Sequence, residues 1–172
     1  MKLCFTCGQR FKSAGWVCPG CGVSPEYYQD YPVLAPALKE GDGSDAEYRY
    51  QELFEAEAGH FWFRSRNRLL IWALRQYFPN AQSFLEIGCG TGFVLSGIKQ
   101  AFPDLSLSAS DLLVRGLAYV GKRLPEVKVF QMDARQIPFE SEFDVIGAFD
   151  MLEHIHADEL VLSEMFRAVK PG

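Results

Sequence analysis

Short apolar runs alternate through the second half of this chain with stretches where apolar residues recur at helical spacing. Ser83-Phe84-Leu85-Glu86-Ile87 is an apolar run broken by one carboxylate. A buried central strand reads this way when its last side chains face a ligand. A helix is expected from Gly92 to Phe102, stopped by Pro103. Leu105–Ser110 reads as a second strand, Leu113–Leu124 as a helix before Pro125, and Val127–Gln131 as a third strand. Phe143–Phe149 is a fourth strand. Asp158–Lys170 is a helix with Leu162, Phe166 and Lys170 on one stripe, ended by Pro171-Gly172. Strands alternating with helices predict an α/β fold built on a doubly wound parallel sheet.

Upstream the pattern changes. Ser44-x-x-Glu47 is a capping-box start for a helix running to about Ala58 and ending at Gly59. Leu70, Leu74 and Phe78, with Ile71 alongside, predict a second helix over Asn67–Phe78, stopped by Pro79. Between them, His60-Phe61-Trp62-Phe63-Arg64 reads as an aromatic corner, either a staple closing the core or a lid over the site. Residues 25–43 hold Pro25, Pro32, Pro36 and Gly41-Asp42-Gly43, the composition of an extended linker. The organisation expected is a small N-terminal module (1–24), a linker (25–43), a helical lid segment (44–80) and an α/β core (81–172).

Composition narrows the function classes. With 48% hydrophobic residues the chain can bury a core, and a net charge of −5 argues against a general nucleic-acid or anionic-membrane binder while leaving room for a local basic patch. No run is apolar and long enough to span a bilayer. The N-terminus enters cysteines with no apolar leader, so a cytoplasmic setting with reduced thiols is expected.

Candidate chemistry sits where the strands end. Gly88-Cys89-Gly90-Thr91-Gly92 puts glycine at alternate positions, so the backbone can turn sharply and lie against a bound molecule. No Gly-Lys-Ser/Thr closes it, and Phe93 stands where a dinucleotide fingerprint needs its third glycine. Asp111 ends the second strand, Asp133 follows the third, and Asp150 ends the fourth.

The Glu86-x-Gly88-x-Gly90-x-Gly92 spacing resembles motif I of the class I S-adenosylmethionine-dependent methyltransferases. The resemblance covers roughly residues 59–172 and implies a Rossmann-like core. Its loop, Gly88, Cys89, Gly90 and Gly92, would pass under the amino-acid part of S-adenosylmethionine or S-adenosylhomocysteine. Glu86 would orient the loop and the cofactor ammonium, Asp111 with Leu112 would take the ribose, and Asp133 with Ala134 the adenine. The H-F-W-F-R-x-R-N segment resembles one that precedes motif I in a bacterial subset of the family. It makes Arg64 the candidate partner of the cofactor carboxylate, with Arg68 second. Asp150-Met151-Leu152-Glu153-His154-Ile155 resembles the segment lining the methyl-transfer site, where His154 would be either a general base or a loop-fixing residue. The family continues beyond a turn like Val169–Gly172 with further strands. The resemblance therefore implies a truncated core whose fourth strand is an exposed edge, open to self-association.

Cys4-x2-Cys7 and Cys18-x2-Cys21, each followed by glycine, predict four thiolates on one tetrahedral ion. The segment resembles a zinc ribbon with structural Zn2+; the Cys-Pro-x-Cys-Gly turn also resembles rubredoxin knuckles, which leaves iron open, and two disulfides are the remaining alternative. The function expected is methyl transfer to a small-molecule, sugar or lipid-linked acceptor. The rival is a non-catalytic cofactor-binding or scaffold module whose ribbon grips a protein or RNA.

Overall fold

The computed structural model describes residues 1–39 and 46–172. In chain order, β1 (Lys2–Leu3) and β2 (Arg10–Phe11) form a two-stranded antiparallel ribbon that flanks the first cysteine pair. A hairpin of β3 (Glu26–Tyr28) and β4 (Tyr31–Val33) follows, then a 3-10 turn over Pro36–Leu38. The helices α1 (Ala46–Ala56) and α2 (Phe61–Tyr77) lead into the core. There β5 (Ser83–Ile87), α3 (Phe93–Ala101), β6 (Ser106–Asp111), α4 (Val114–Arg123), β7 (Lys128–Gln131), β8 (Val145–Ala148) and α5 (Asp158–Ala168) succeed one another. A second 3-10 turn covers Leu152–His154.

The main sheet has the order β3-β4-β7-β6-β5-β8, parallel throughout except for the β3–β4 hairpin. The order reverses at β5, and that switch point opens a crevice at the carboxyl ends of the strands. Alternation along β5 decides the two cores. Phe84 joins Val94, Leu95, Ile98, Leu117 and Val120 under α3 and α4. Leu85 and Ile87 join Phe130, Ile137, Phe139 and Val161 on the other face, beneath α5 and the N-terminal ribbon. The α/β doubly wound architecture is as expected.

Three local readings change. First, residues 26–33 are not a free linker. They pair as a hairpin, and Val33 extends the main sheet by pairing with Gln131. Pro32 is tolerated because the short β4 reaches β7 through Val33 and the Leu34 amide, which donates to the Gln131 carbonyl at 2.9 Å. Second, the aromatic corner is the first turn of a helix. His60 caps α2, its ring nitrogen accepting from the Trp62 amide at 3.3 Å, so the helix starts at Phe61 rather than Asn67. Third, the fourth strand is shorter than expected. Its ladder runs over Val145–Ala148, while Phe143 makes a single parallel bridge with Val169. Ser44 of the expected capping box, with Gly41-Asp42-Gly43, lies outside the described residues.

Asp144 fastens the amino end of β5 to that edge. One carboxylate oxygen accepts from the Gln82 and Ser83 amides and the Ser83 hydroxyl, while the other meets Lys170 at 2.8 Å. Lys170, then Ser83, hold the Asp144 carboxyl well below its usual range. A depressed carboxyl contributes stability that is present above its unfolded value and is lost as pH falls through the folded one. Asp144→Asn is therefore expected to lower the thermal midpoint at pH 7. The deficit should shrink as pH drops below about 3.9, the ordinary aspartate value, which unfolding scans across that range would register.

Candidate active site

The glycine loop leaves β5 at the switch point. Gly88, Gly90 and Gly92 all lie in the left-handed region, with φ of 71°, 52° and 75°. At Gly88 a Cβ would also stand 2.9 Å from Met151, so this turn packs directly against the segment after β8. At Gly90 a Cβ would meet no described atom within 4 Å. The loop thus presents bare backbone to open space where a ligand can lie against it.

Four acids ring that space. Glu86 is buried at 2% exposure, and its Oε2 has no hydrogen-bond partner among the described residues. Burial pushes its carboxyl well above the usual range, against the pull of Arg66. Asp111 accepts from the Gly90 amide at 2.9 Å and the Leu113 amide at 3.0 Å, and thereby fixes the glycine loop to the end of β6. Burial raises its carboxyl although those amides oppose the shift. Asp133, beyond β7, is clasped by the Arg135 guanidinium at 2.7–3.0 Å. Burial works against this anion, but the Arg135 hydrogen bonds bring its carboxyl below the usual value. Asp150, with a left-handed φ of 54°, pairs with Arg66.

Arg66, and not Arg64, is the arginine that α2 turns toward Asp150. Helix α2 advances 100° per residue from Phe61, which turns Arg66 inward while Arg64 and Arg68 stay exposed on the outer side. Arg66 Nε is buried with no hydrogen-bond partner among the described residues. Two buried polar atoms therefore lack a partner among the described residues: a carboxyl oxygen on Glu86 and a guanidinium nitrogen on Arg66, whose charge acts on Glu86. A ligand carrying both an ammonium and a carboxylate would satisfy both. Leu112 is partly exposed beside Asp111, and its carbonyl accepts from Gln131 Nε2 at 3.0 Å. Ala134 is buried beside Asp133. Cys89 is buried and its thiol is pushed well up by burial, so it stays neutral and serves as a small packing residue. His154 is exposed in the 3-10 turn that follows Asp150.

The sequence reading missed three supports. Glu57, past the end of α1, accepts from the Thr91 hydroxyl with both oxygens at 2.7 Å and pairs with Arg123 at 2.9 Å. Arg123 also donates to the carbonyls of Thr91 and Phe54. This buried knot ties α1, the glycine loop and α4 together. Glu57→Gln is expected to cost about 1–3 kcal/mol of stability by taking the buried carboxylate away from the Arg123 guanidinium, a loss that denaturant unfolding would measure. Tyr50 lies against Gly116, where a Cβ would meet its ring at 2.9 Å. Burial, and then the Asp111 charge, raise its phenol. Gln131, fully buried, bonds both the amide and the carbonyl of Ala35 at 2.9 Å and so brings residues 34–39 beside Leu112. A separate cavity of about 620 Å³, bounded by Trp16, Tyr31, Ser106, Lys128 and Phe143, lies at the opposite, amino ends of the strands and belongs to none of this chemistry.

At the N-terminus the sulfurs of Cys4, Cys7, Cys18 and Cys21 all lie within 4.8 Å of one another. The Thr6 and Cys7 amides point at Cys4 Sγ from 3.4 Å, and the Cys21 amide helps pull the Cys18 thiol down to about 6. Four convergent sulfurs backed by amides fit one thiophilic ion in a tetrahedral site.

Comparison with known proteins places this geometry. A family described as a methyltransferase domain matches residues 84–172. The dTDP-4-amino-2,3,4,6-tetradeoxy-D-glucose N,N-dimethyltransferase of Saccharopolyspora spinosa is 30% identical over 155 residues, covering 87% of this chain and 54% of that protein. The SAM-bound structure of CalS10, an amino pentose methyltransferase from Micromonospora echinaspora, superposes with a TM-score of 0.61 at 25% identity, over 71% of this chain and 52% of that one. A Methanococcus maripaludis protein, 17% identical, shares the fold with a TM-score of 0.64 over 73% of this chain and 60% of its own. The chain spans about half or less of the length of the curated relatives it matches.

Proposed function

This chain belongs to the class I S-adenosylmethionine-dependent methyltransferases, and from that we propose that its crevice serves methyl transfer to a sugar or lipid-linked small molecule. The observation that carries the cofactor assignment is the pair of orphaned buried atoms, Glu86 Oε2 and Arg66 Nε. Glu86 would take the cofactor ammonium and Arg66 its carboxylate. Asp111 and Leu112 would hold the ribose, Asp133 and Ala134 the adenine, and Gly88, Cys89, Gly90 and Gly92 the bed beneath. When bound, the cofactor supplies a methyl group made electrophilic by a positive sulfur.

The chain's own part is alignment and exclusion of water. Tyr50 and α1 would cover one side, and Met151 and Leu152 the other. Arg66, paired with Asp150, would keep the carboxylate end in register. His154, in the turn that follows Asp150, is the candidate to accept a proton from the acceptor on its imidazole. The amino-sugar relatives favour a sugar acceptor. We assign structural Zn2+ to Cys4, Cys7, Cys18 and Cys21; four protein ligands leave no open position for catalysis. Titration calorimetry with S-adenosylhomocysteine tests the cofactor reading. One saturable site per chain supports it, and no heat with a folded sample overturns it. The non-catalytic alternative falls if any acceptor is methylated.

A further inference from the structure

From Gly59 through Leu85 the sequence holds four arginines and no aspartate or glutamate, in a chain whose net charge is −5. Helix α2 takes up most of that stretch. Its inner face packs on the core through Asn67, Leu70 and Leu74, and Arg66 reaches the site. The outer face exposes four large apolar side chains with Ser65 and Gln76 set among them: Phe61 is 73% exposed, Trp62 53%, Leu69 61% and Trp72 54%. At 100° per residue, Trp62, Leu69 and Trp72 fall within a sector of about 80°. Arg64, Arg68 and Arg75 form a row of about 40° width along one border of that sector. Beneath the row, between α2 and α3, lies a groove of about 430 Å³ lined by Arg68, Trp72, Arg75, Gln100 and Gly97.

We propose that this face of α2 docks on the surface of an acidic phospholipid bilayer, with Trp62, Leu69 and Trp72 in the headgroup boundary and Arg68 and Arg75 on lipid phosphates. The chemistry matches at each part. Tryptophan is the residue that an apolar-aqueous boundary favours, and arginine keeps its guanidinium in water while its stem lies on apolar surface. An amphipathic helix with a cationic border lies in the interface plane without crossing it, and no described helix is long and apolar enough to cross a membrane. A second copy of the chain fits worse. A two-fold contact through this face would set one arginine row against another. Nucleic acid would leave Phe61 and Leu69 without a role. The same helix carries Arg66 to the crevice, so docking would bring the site's mouth close to a lipid-borne acceptor. The docking itself does not depend on the methyl-transfer reading.

Flotation of the 172-residue chain with phosphatidylserine-containing vesicles tests this, beside pure phosphatidylcholine vesicles and across a salt series. Binding is expected on the acidic vesicles alone and should weaken with salt. Arg68→Gln with Arg75→Gln should reduce it about 25-fold, near fivefold for each arginine. Trp62→Ser with Trp72→Ser should reduce it at least tenfold. All four positions are exposed, and an unchanged thermal midpoint in each variant would show that the fold is intact. No flotation at low salt would overturn the proposal. So would flotation that the variants leave unchanged, a dimer in light scattering that Trp72→Ser dissociates, or retention of RNA in place of vesicles.

Discussion

Glu86→Gln is expected to weaken S-adenosylhomocysteine binding by about 10- to 100-fold, the loss that follows when a charged hydrogen bond in a buried site is replaced by a neutral one. Arg66→Met should lose a similar amount from the other end of the ligand. The free protein tolerates Glu86→Gln for the same reason that makes it costly to binding. Glu86 Oε2 has no hydrogen-bond partner among the described residues, so the substitution breaks no bond at that atom. Arg66→Met also removes the ion pair with Asp150 and is expected to cost the free protein stability. Binding should therefore fall in both variants, while the thermal midpoint of the free protein holds or rises only in Glu86→Gln.

The pH dependence supplies a second check. Burial raises the Glu86 carboxyl well above its ordinary value. The free folded protein thus holds a proton on Glu86 at pH values where the unfolded chain has released it. Its stability falls as pH rises from the ordinary glutamate value through the raised one. A ligand ammonium favours the ionised form, so binding releases that proton and affinity grows as pH rises through the same window. Calorimetry in buffers of different ionisation enthalpy would count the proton. Glu86→Gln should abolish the release; proton release that persists in the variant would assign it to another group.

Much of this was readable because local and global preferences agree in the core. The run Ser83–Ile87, the glycines after it, and Asp111 and Asp133 at the following strand ends occupy the positions their spacing implied. What was not readable depended on tertiary pairing. Tyr27, Tyr28, Tyr31 and Pro32 read as linker because a strand of three residues containing proline has no periodicity to detect. Only the edge of β7, through Gln131, makes it a strand. Arg66 was passed over for Arg64 because the aromatic segment looked like a corner, and without a helical phase there was no way to tell inward from outward. The His60 cap fixes that phase. Glu57 and Tyr50 lay in a stretch expected to be helical from its capping box, but its partners, the glycine loop and α4, lie far along the chain.

Removing the metal proposed for the N-terminal cysteines is expected to destabilise the whole protein and not the ribbon alone. As a sequence, residues 1–24 resemble an independent module. In the structure they are a wall of the core. The Leu3 amide donates to the Pro138 carbonyl at 2.9 Å, Lys2 bridges to Phe139, and the Glu140 amide donates to the Met1 carbonyl at 2.8 Å. Trp16 packs edge-on against Phe139 at 5.5 Å and tilts against Phe130 at 6.2 Å, and Phe139 in turn meets Phe143 at 5.0 Å. Only one small cluster, Cys4, Phe11, Cys18 and Val23, is internal to the ribbon, too little to hold it without an ion. Once the ribbon opens, Phe130 and Phe139 lose their cover. The loss should be about 2–4 kcal/mol, from apolar area and ring contacts together. For a chain of this size it corresponds to roughly 5–15 °C in thermal midpoint. Cys18→Ser and chelation should give the same shift, and metal analysis of the untreated sample would distinguish zinc from iron. A midpoint that stays put while only ribbon amides exchange would instead make residues 1–24 an autonomous appendage and limit the wall to the β3–β4 hairpin.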